Sequence, residues 1–158
     1  MAQGRECLFG KIVDGKVILS DLGRIVEVCW HAIPAHFPNT GLGTFIVMPN
    51  HVHGIIILNG DTKQDSGVGA TQASPLRASY LQRPPRGPSR GSVGAIIGSF
   101  KSAVSRRTRQ EHNITNVWQR NYYEHIIRDD VEHKRIHRYI EANPASWISD
   151  DENSLRSS

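Results

Sequence analysis

The apolar positions shift between a period of two and a period near 3.6 along the chain, and Gly, Pro, Asn or Asp marks each change. Leu8-Phe9-Gly10-Lys11-Ile12 and Lys16-Val17-Ile18-Leu19 flank Asp14-Gly15, which predicts a hairpin from Leu8 to Leu19 with a tight turn. Ser20 or Asp21 then caps a helix running to about His36, with Leu22, Ile25, Val26, Cys29, Trp30 and Ile33 on one face. Thr44-Phe45-Ile46-Val47-Met48 reads as a strand, and Pro49-Asn50 turns the chain into a second strand from His51 to Leu58. That second run is apolar after its histidines, as in a strand covered on both faces.

The pattern breaks over 61–91, where Gly, Ser, Pro, Gln and Arg dominate and Pro84-Pro85 and Gly87-Pro88 interrupt regular structure. This predicts a flexible insertion with a basic balance, Lys63, Arg77, Arg83, Arg86 and Arg90 against Asp61 and Asp65. Ser92 restarts order as the cap of a helix to about Gln110, with Ile96, Ile97, Phe100 and Val104 as its apolar stripe. Val117-Trp118-Gln119 and Tyr122 to Ile127 are expected to be extended around a turn at Arg120-Asn121. A last helix starts near Asp129 or Asp130 and is expected to stop before Pro144, leaving 148–158 as a polar tail. The elements together predict one α+β domain over 5–147, a mainly antiparallel sheet with helices packed on it.

The chain has 158 residues, enough for one domain, with 38% hydrophobic residues and a formal net charge of +4. A basic balance favours an anionic partner such as nucleic acid. Cys7 and Cys29 make no disulfide scaffold and no Cys-x-x-Cys zinc pair. Neither a signal-peptide core at the start nor a run of transmembrane length is present, so the expected location is cytoplasmic with no membrane partner.

Three groups of residues can carry chemistry. His51 and His53 stand at i and i+2, which puts both imidazoles on one face of a strand, where they can share a metal ion or be ordinary satisfied histidines. Tyr139 and Asn143 stand at i and i+4 on the last helix. A phenol can be a nucleophile and an amide oxygen a metal ligand, while a packing tyrosine and an Asn-Pro stop fit the same spacing. Lys101, Arg106, Arg107 and Arg109 follow one another with no acidic residue before Glu111, a pattern suited to DNA phosphates and equally to a solvated face. Trp118, Tyr122 and Tyr123 can stack bases or pack the fold. His133 and His137 lack a third ligand at a familiar spacing and read as surface residues, and His125 receives no role.

The runs Phe45 to Ile56 (with Met48-Pro49-Asn50-His51-Val52-His53-Gly54), Val117 to Arg128, and Arg138-Tyr139-Ile140-Glu141-Ala142-Asn143-Pro144 occur in that order. This order resembles the REP-associated tyrosine transposases, single-tyrosine HUH enzymes of bacterial insertion sequences. The resemblance runs from about Arg5 to Trp147 apart from the insertion. It implies a ferredoxin- or RRM-like HUH fold, with Mg²⁺ or Mn²⁺ on His51 and His53, Tyr139 as nucleophile and Asn143 as third ligand. It also implies a transposase that nicks and religates single-stranded or hairpin DNA through a 5′-phosphotyrosine and a free 3′-OH. Because a phenol holds its proton at neutral pH, attack requires a base or a stabilised anion. Nitrogen donors suit Mn²⁺ at least as well as Mg²⁺.

Family members begin with a further strand, whereas only Met1-Ala2-Gln3-Gly4 precede Arg5 here, so an exposed sheet edge and a weakened site are expected. Two other functions fit the same residues: a DNA-binding protein that has lost turnover, and a metal phosphoesterase that uses water. A monomer and a homodimer exchanging catalytic helices are both compatible with the pattern.

Overall fold

The computed structural model describes residues 7–59, 88–89, 91–118 and 122–147. The expected N-terminal edge, most of the 61–91 insertion, the Arg120-Asn121 turn and the 148–158 tail lie outside these residues. The fold is α+β, with strands β1 (Gly10–Val13), β2 (Lys16–Leu19), β3 (Thr40–Val47) and β4 (Val52–Leu58) and helices α1 (Asp21–His31), α2 (Ile33–His36), α3 (Val93–His112) and α4 (Asp130–Ser146). Among the described residues the strands form two antiparallel hairpins, β1-β2 and β3-β4, rather than one continuous sheet. Among the described residues no helix is long and apolar enough to cross a membrane.

Local chemistry accounts for most element ends. Asp14 and Gly15 both take positive φ (50° and 71°), the pair of left-handed residues that a two-residue hairpin turn requires. Ser20 caps α1 by accepting from Gly23 N–H at 3.1 Å, and Ser92 caps α3 by accepting from Ala95 N–H at 3.3 Å. The single helix expected to His36 is broken at Ala32. Pro34 has no N–H to offer Trp30 C=O, and the regular α1 ladder ends with Ala32 N–H donating to Val28 C=O at 3.2 Å.

Among the described residues, Val117–Trp118 and Tyr122–Arg128 join no strand ladder, and Trp118 has only an isolated bridge. Val117 is buried in the core, and Trp118 lies against Phe9 (5.4 Å between ring centroids) and Phe100 (5.6 Å), donating Nε1–H to Lys101 C=O at 3.1 Å. Tertiary packing thus holds this segment without a ladder, and Tyr123 beyond it is 90% exposed. Nor does α4 stop before Pro144; it runs on to Ser146. A proline so near the end forfeits one backbone bond, and the buried Pro144 and Trp147 hold the last turn in place.

The β3-β4 hairpin separates two layers. Between Leu42↔Ile56 and Phe45↔Gly54, β3 carries one residue more than β4, a bulge. The bulge resets the alternation, so Leu42, Phe45 and Val47 all join the core with Val52 and Ile56. On that face sit α1 and α3, through Leu22, Ile25, Val26, Cys29, Trp30, Ile96, Phe100 and Val104. Thr44, Ile46, His53 and Ile55 have the opposite parity, and on that side Thr44 and His53 meet α4.

Gly54 is where the core approaches the sheet most closely. A Cβ there would lie 2.5 Å from Trp30 Cζ2 and 3.0 Å from Phe45 Cδ2, inside a ring pair stacked at 4.4 Å. Gly54→Ala should therefore cost about 1–3 kcal/mol in denaturant unfolding. Trimming the ring with Trp30→Leu should relieve most of that added cost. An equal penalty in both backgrounds would show that the ring is not the obstacle.

Candidate metal and tyrosine site

The site is assembled at the tip of the β3-β4 hairpin. Met48 N–H donates to His51 C=O at 2.8 Å and closes the turn, while Phe9 N–H donates to Pro49 C=O at 2.9 Å. Met48, Pro49, Asn50 and His51 are consequently buried, with His51 3% exposed. The expected strand begins one residue later than its first histidine: His51 ends the turn and β4 starts at Val52.

His51 Nδ1–H donates to Asn50 Oδ1 at 2.7 Å, which leaves a lone pair on Nε2. His51 Nε2 and His53 Nε2 stand 2.9 Å apart. Two donor atoms each about 2.1 Å from one ion, and at right angles about it, are separated by about 3 Å. The imidazole pair therefore has the spacing of two ligands of one ion. Burial, and then the neighbouring His53, push His51 down to about 3, which keeps it in the neutral form that ligation needs.

The third component arrives on α4. Asp129 caps this helix by accepting from Glu132 N–H at 2.8 Å. Its Asn143 is buried, with Nδ2 3.4 Å from His53 Nε2. Asn143 Oδ1 is buried and has no hydrogen-bond partner, a state shared among the described residues only with Trp30 Nε1. A half-turn of the amide exchanges oxygen and nitrogen, bringing that unsatisfied oxygen toward the imidazoles, where a cation would satisfy it. Tyr139 is 55% exposed, and its ring meets the His53 ring edge-on at 5.4 Å. All four residues expected at the site are thus brought together. No group of three or more His, Cys, Asp or Glu is placed to share a metal among the described residues; the third polar group beside the two imidazoles is the Asn143 amide.

The basic residues of α3 are placed elsewhere. Lys101, Arg106 and Arg109 line a groove of about 360 Å³ with Ser102, Ser105 and Thr115. Arg107 is not part of it and pairs with Glu111 at 3.4 Å. Lys101 Nζ lies 5.6 Å over the Trp118 ring, and burial holds its ammonium below the usual lysine range. Since α3 packs on α1 and, through Phe100, edge-on against Trp30 at 5.6 Å, this groove is on the far side of β3-β4 from Tyr139.

Three contributors escape a reading of the sequence. Asn50 looks like a turn residue yet orients His51. Trp147 reads only as the last residue of the domain, with no role assigned, yet its ring lies 5.9 Å from that of His51. His137, expected at the surface, is half-buried, hydrogen-bonded to Thr44 Oγ1 through Nδ1 and 3.4 Å from Glu141 Oε2 through Nε2. Its contact with the strand fastens α4 two residues before Tyr139. His125 bonds Glu132 at 2.8 Å, and that bond, with the Arg128 N–H, holds the Glu132 carboxyl below the usual range.

Comparison with known proteins finds no matching family model and no matching solved structure. An uncharacterized protein of Haemophilus influenzae is 40% identical over 148 residues, covering 94% of this chain and 78% of the relative.

Proposed function

We propose, for a chain that belongs to the family of this uncharacterized Haemophilus influenzae protein, that it is a metal-dependent enzyme that nicks and religates single-stranded DNA through Tyr139. One observation carries this reading: Asn143, with its unpartnered buried oxygen, comes from the same helix as Tyr139 to meet the His51–His53 pair. The buried, neutral imidazole of His51, the half-buried His53 beside it and an amide oxygen suit a divalent cation, and an exposed phenol next to them suits attack on a large substrate. His51, His53 and Asn143 would hold Mg²⁺ or Mn²⁺, with Asn50 fixing the tautomer of His51. A divalent ion held there would supply Lewis-acid stabilisation of the charge that develops on the phosphoryl group.

Tyr139 Oη would attack phosphorus and lose its proton as the P–O3′ bond breaks. The departing 3′ oxygen takes up a proton, and the 5′ phosphate remains ester-linked to the phenol. Attack by another 3′-OH reverses the exchange, and the phosphoester bond energy retained in the link makes ATP unnecessary. Strand transfer of this kind is the chemistry of a transposase, and a DNA substrate implies a cytoplasmic location.

The test is a labelled single-stranded hairpin oligonucleotide incubated with the protein and Mn²⁺, then resolved on a denaturing protein gel. A covalent adduct in the parent protein that disappears in Tyr139→Phe is expected. Cleavage persisting in Tyr139→Phe would assign the site to hydrolysis by water. Binding with no cleavage would leave a DNA-binding protein without turnover.

A further inference from the structure

The helix that carries Tyr139 presents a second basic surface. Val131, Lys134, Arg135 and Arg138 line a groove of about 340 Å³, with no carboxylate in its lining. Lys134 and Arg138 are one turn apart and have no ion-pair partner among the described residues. Arg135 shares Glu132 with His125, at 3.4 Å, and Tyr139 is its i+4 neighbour. Ile140, Asn143 and Pro144 turn the opposite side of α4 to the protein, so the basic side faces outward and the phenol stands at its rim. Positive charge with no compensating carboxylate in the groove is complementary to a phosphate backbone.

We propose that Lys134, Arg135 and Arg138 form the track that holds the phosphates of single-stranded DNA next to Tyr139. The proposal rests on the nicking function above and specifies where its substrate lies. Nucleotides flanking the attacked phosphate must pass within reach of the phenol. The α4 groove adjoins it, whereas a strand in the α3 groove would have to round the β3-β4 hairpin first.

Fluorescence anisotropy with a labelled oligothymidylate of about 12 nucleotides, long enough for one binding site, tests this across a range of salt. The full chain is compared in the Tyr139→Phe background with Lys134→Gln/Arg138→Gln and with Arg106→Gln/Arg109→Gln, folding being checked by circular dichroism. Loss of two phosphate contacts should weaken binding roughly 10- to 30-fold at about 0.1 M salt and flatten log K against log salt by about 1.4. Unchanged affinity and slope in the α4 pair, with a loss in the α3 pair, would overturn the track and leave the nicking function standing. Absence of both DNA binding and a covalent adduct in proteins carrying the native α3 and α4 cations would remove the nicking function, and the track with it.

Discussion

His51→Ala should reduce Mn²⁺-dependent nicking by about 10²- to 10⁴-fold, the scale of several kcal/mol of Lewis-acid stabilisation. The substitution removes one nitrogen of the 2.9 Å pair, and under the proposed function only His53 and Asn143 would remain to hold a divalent ion. Asn50→Ala should act more mildly, by about 10- to 100-fold, because it releases the orientation and tautomer of His51 without deleting a ligand. Raising Mn²⁺ should recover part of the Asn50→Ala loss through mass action and far less of the His51→Ala loss. A small His51→Ala loss that Mn²⁺ concentration does not change would mean that His51 is a structural histidine. Circular dichroism separates either result from unfolding, since a buried imidazole also fills volume.

Acidification should destabilise the metal-free protein by about 2 kcal/mol between pH 7 and pH 5 on account of His51 alone. The sign follows from the direction of the shift. Burial, reinforced by His53, lowers the folded pKa from 6.5 to about 3, so the native state stays unprotonated while the unfolded chain binds a proton. Stability is therefore fully present above about pH 6.5, falls as the unfolded histidine titrates, and levels off only as the folded group itself protonates near 3. Urea unfolding of parent and His51→Ala in the presence of a chelator isolates the effect. The parent should lose more stability on acidification than the variant. Parallel pH dependences would show that His51 takes up its proton as readily folded as unfolded.

Features governed by neighbours in sequence are legible from the order of the residues alone. Asp14-Gly15 specifies a turn because both residues must take positive φ, and Ser20 and Ser92 mark helix starts through a single oxygen each. The α+β class follows from apolar periods of the same local kind. The i, i+4 spacing of Tyr139 and Asn143 likewise needs only the helical repeat.

What depends on distant contacts is not legible in this way. Division of the strands into two hairpins and the position of α3 on the Trp30 side are decided by which apolar faces meet. The latter separates the α3 cations from Tyr139. The bulge between Leu42 and Phe45 changes which residues share a face, so the alliance of Thr44 with His137 cannot be counted along the chain. Burial of His51 under a turn tied to Phe9, and survival of α4 past Pro144 through Trp147, are tertiary effects overriding local preference. His-x-His spacing alone is compatible with two solvated imidazoles; their approach to Asn143 distinguishes this pair.

The most direct measurement is the identity of the atom that carries DNA after cutting. Mass spectrometry of a protease digest of the adduct should find a 5′-phosphonucleotide on the peptide containing Tyr139. The adduct should require Mn²⁺ or Mg²⁺, be lost with a chelator, and accompany release of a DNA fragment ending in a free 3′-OH. Cut DNA with both ends free and Tyr139 unmodified would contradict the assignment of Tyr139 as the nucleophile.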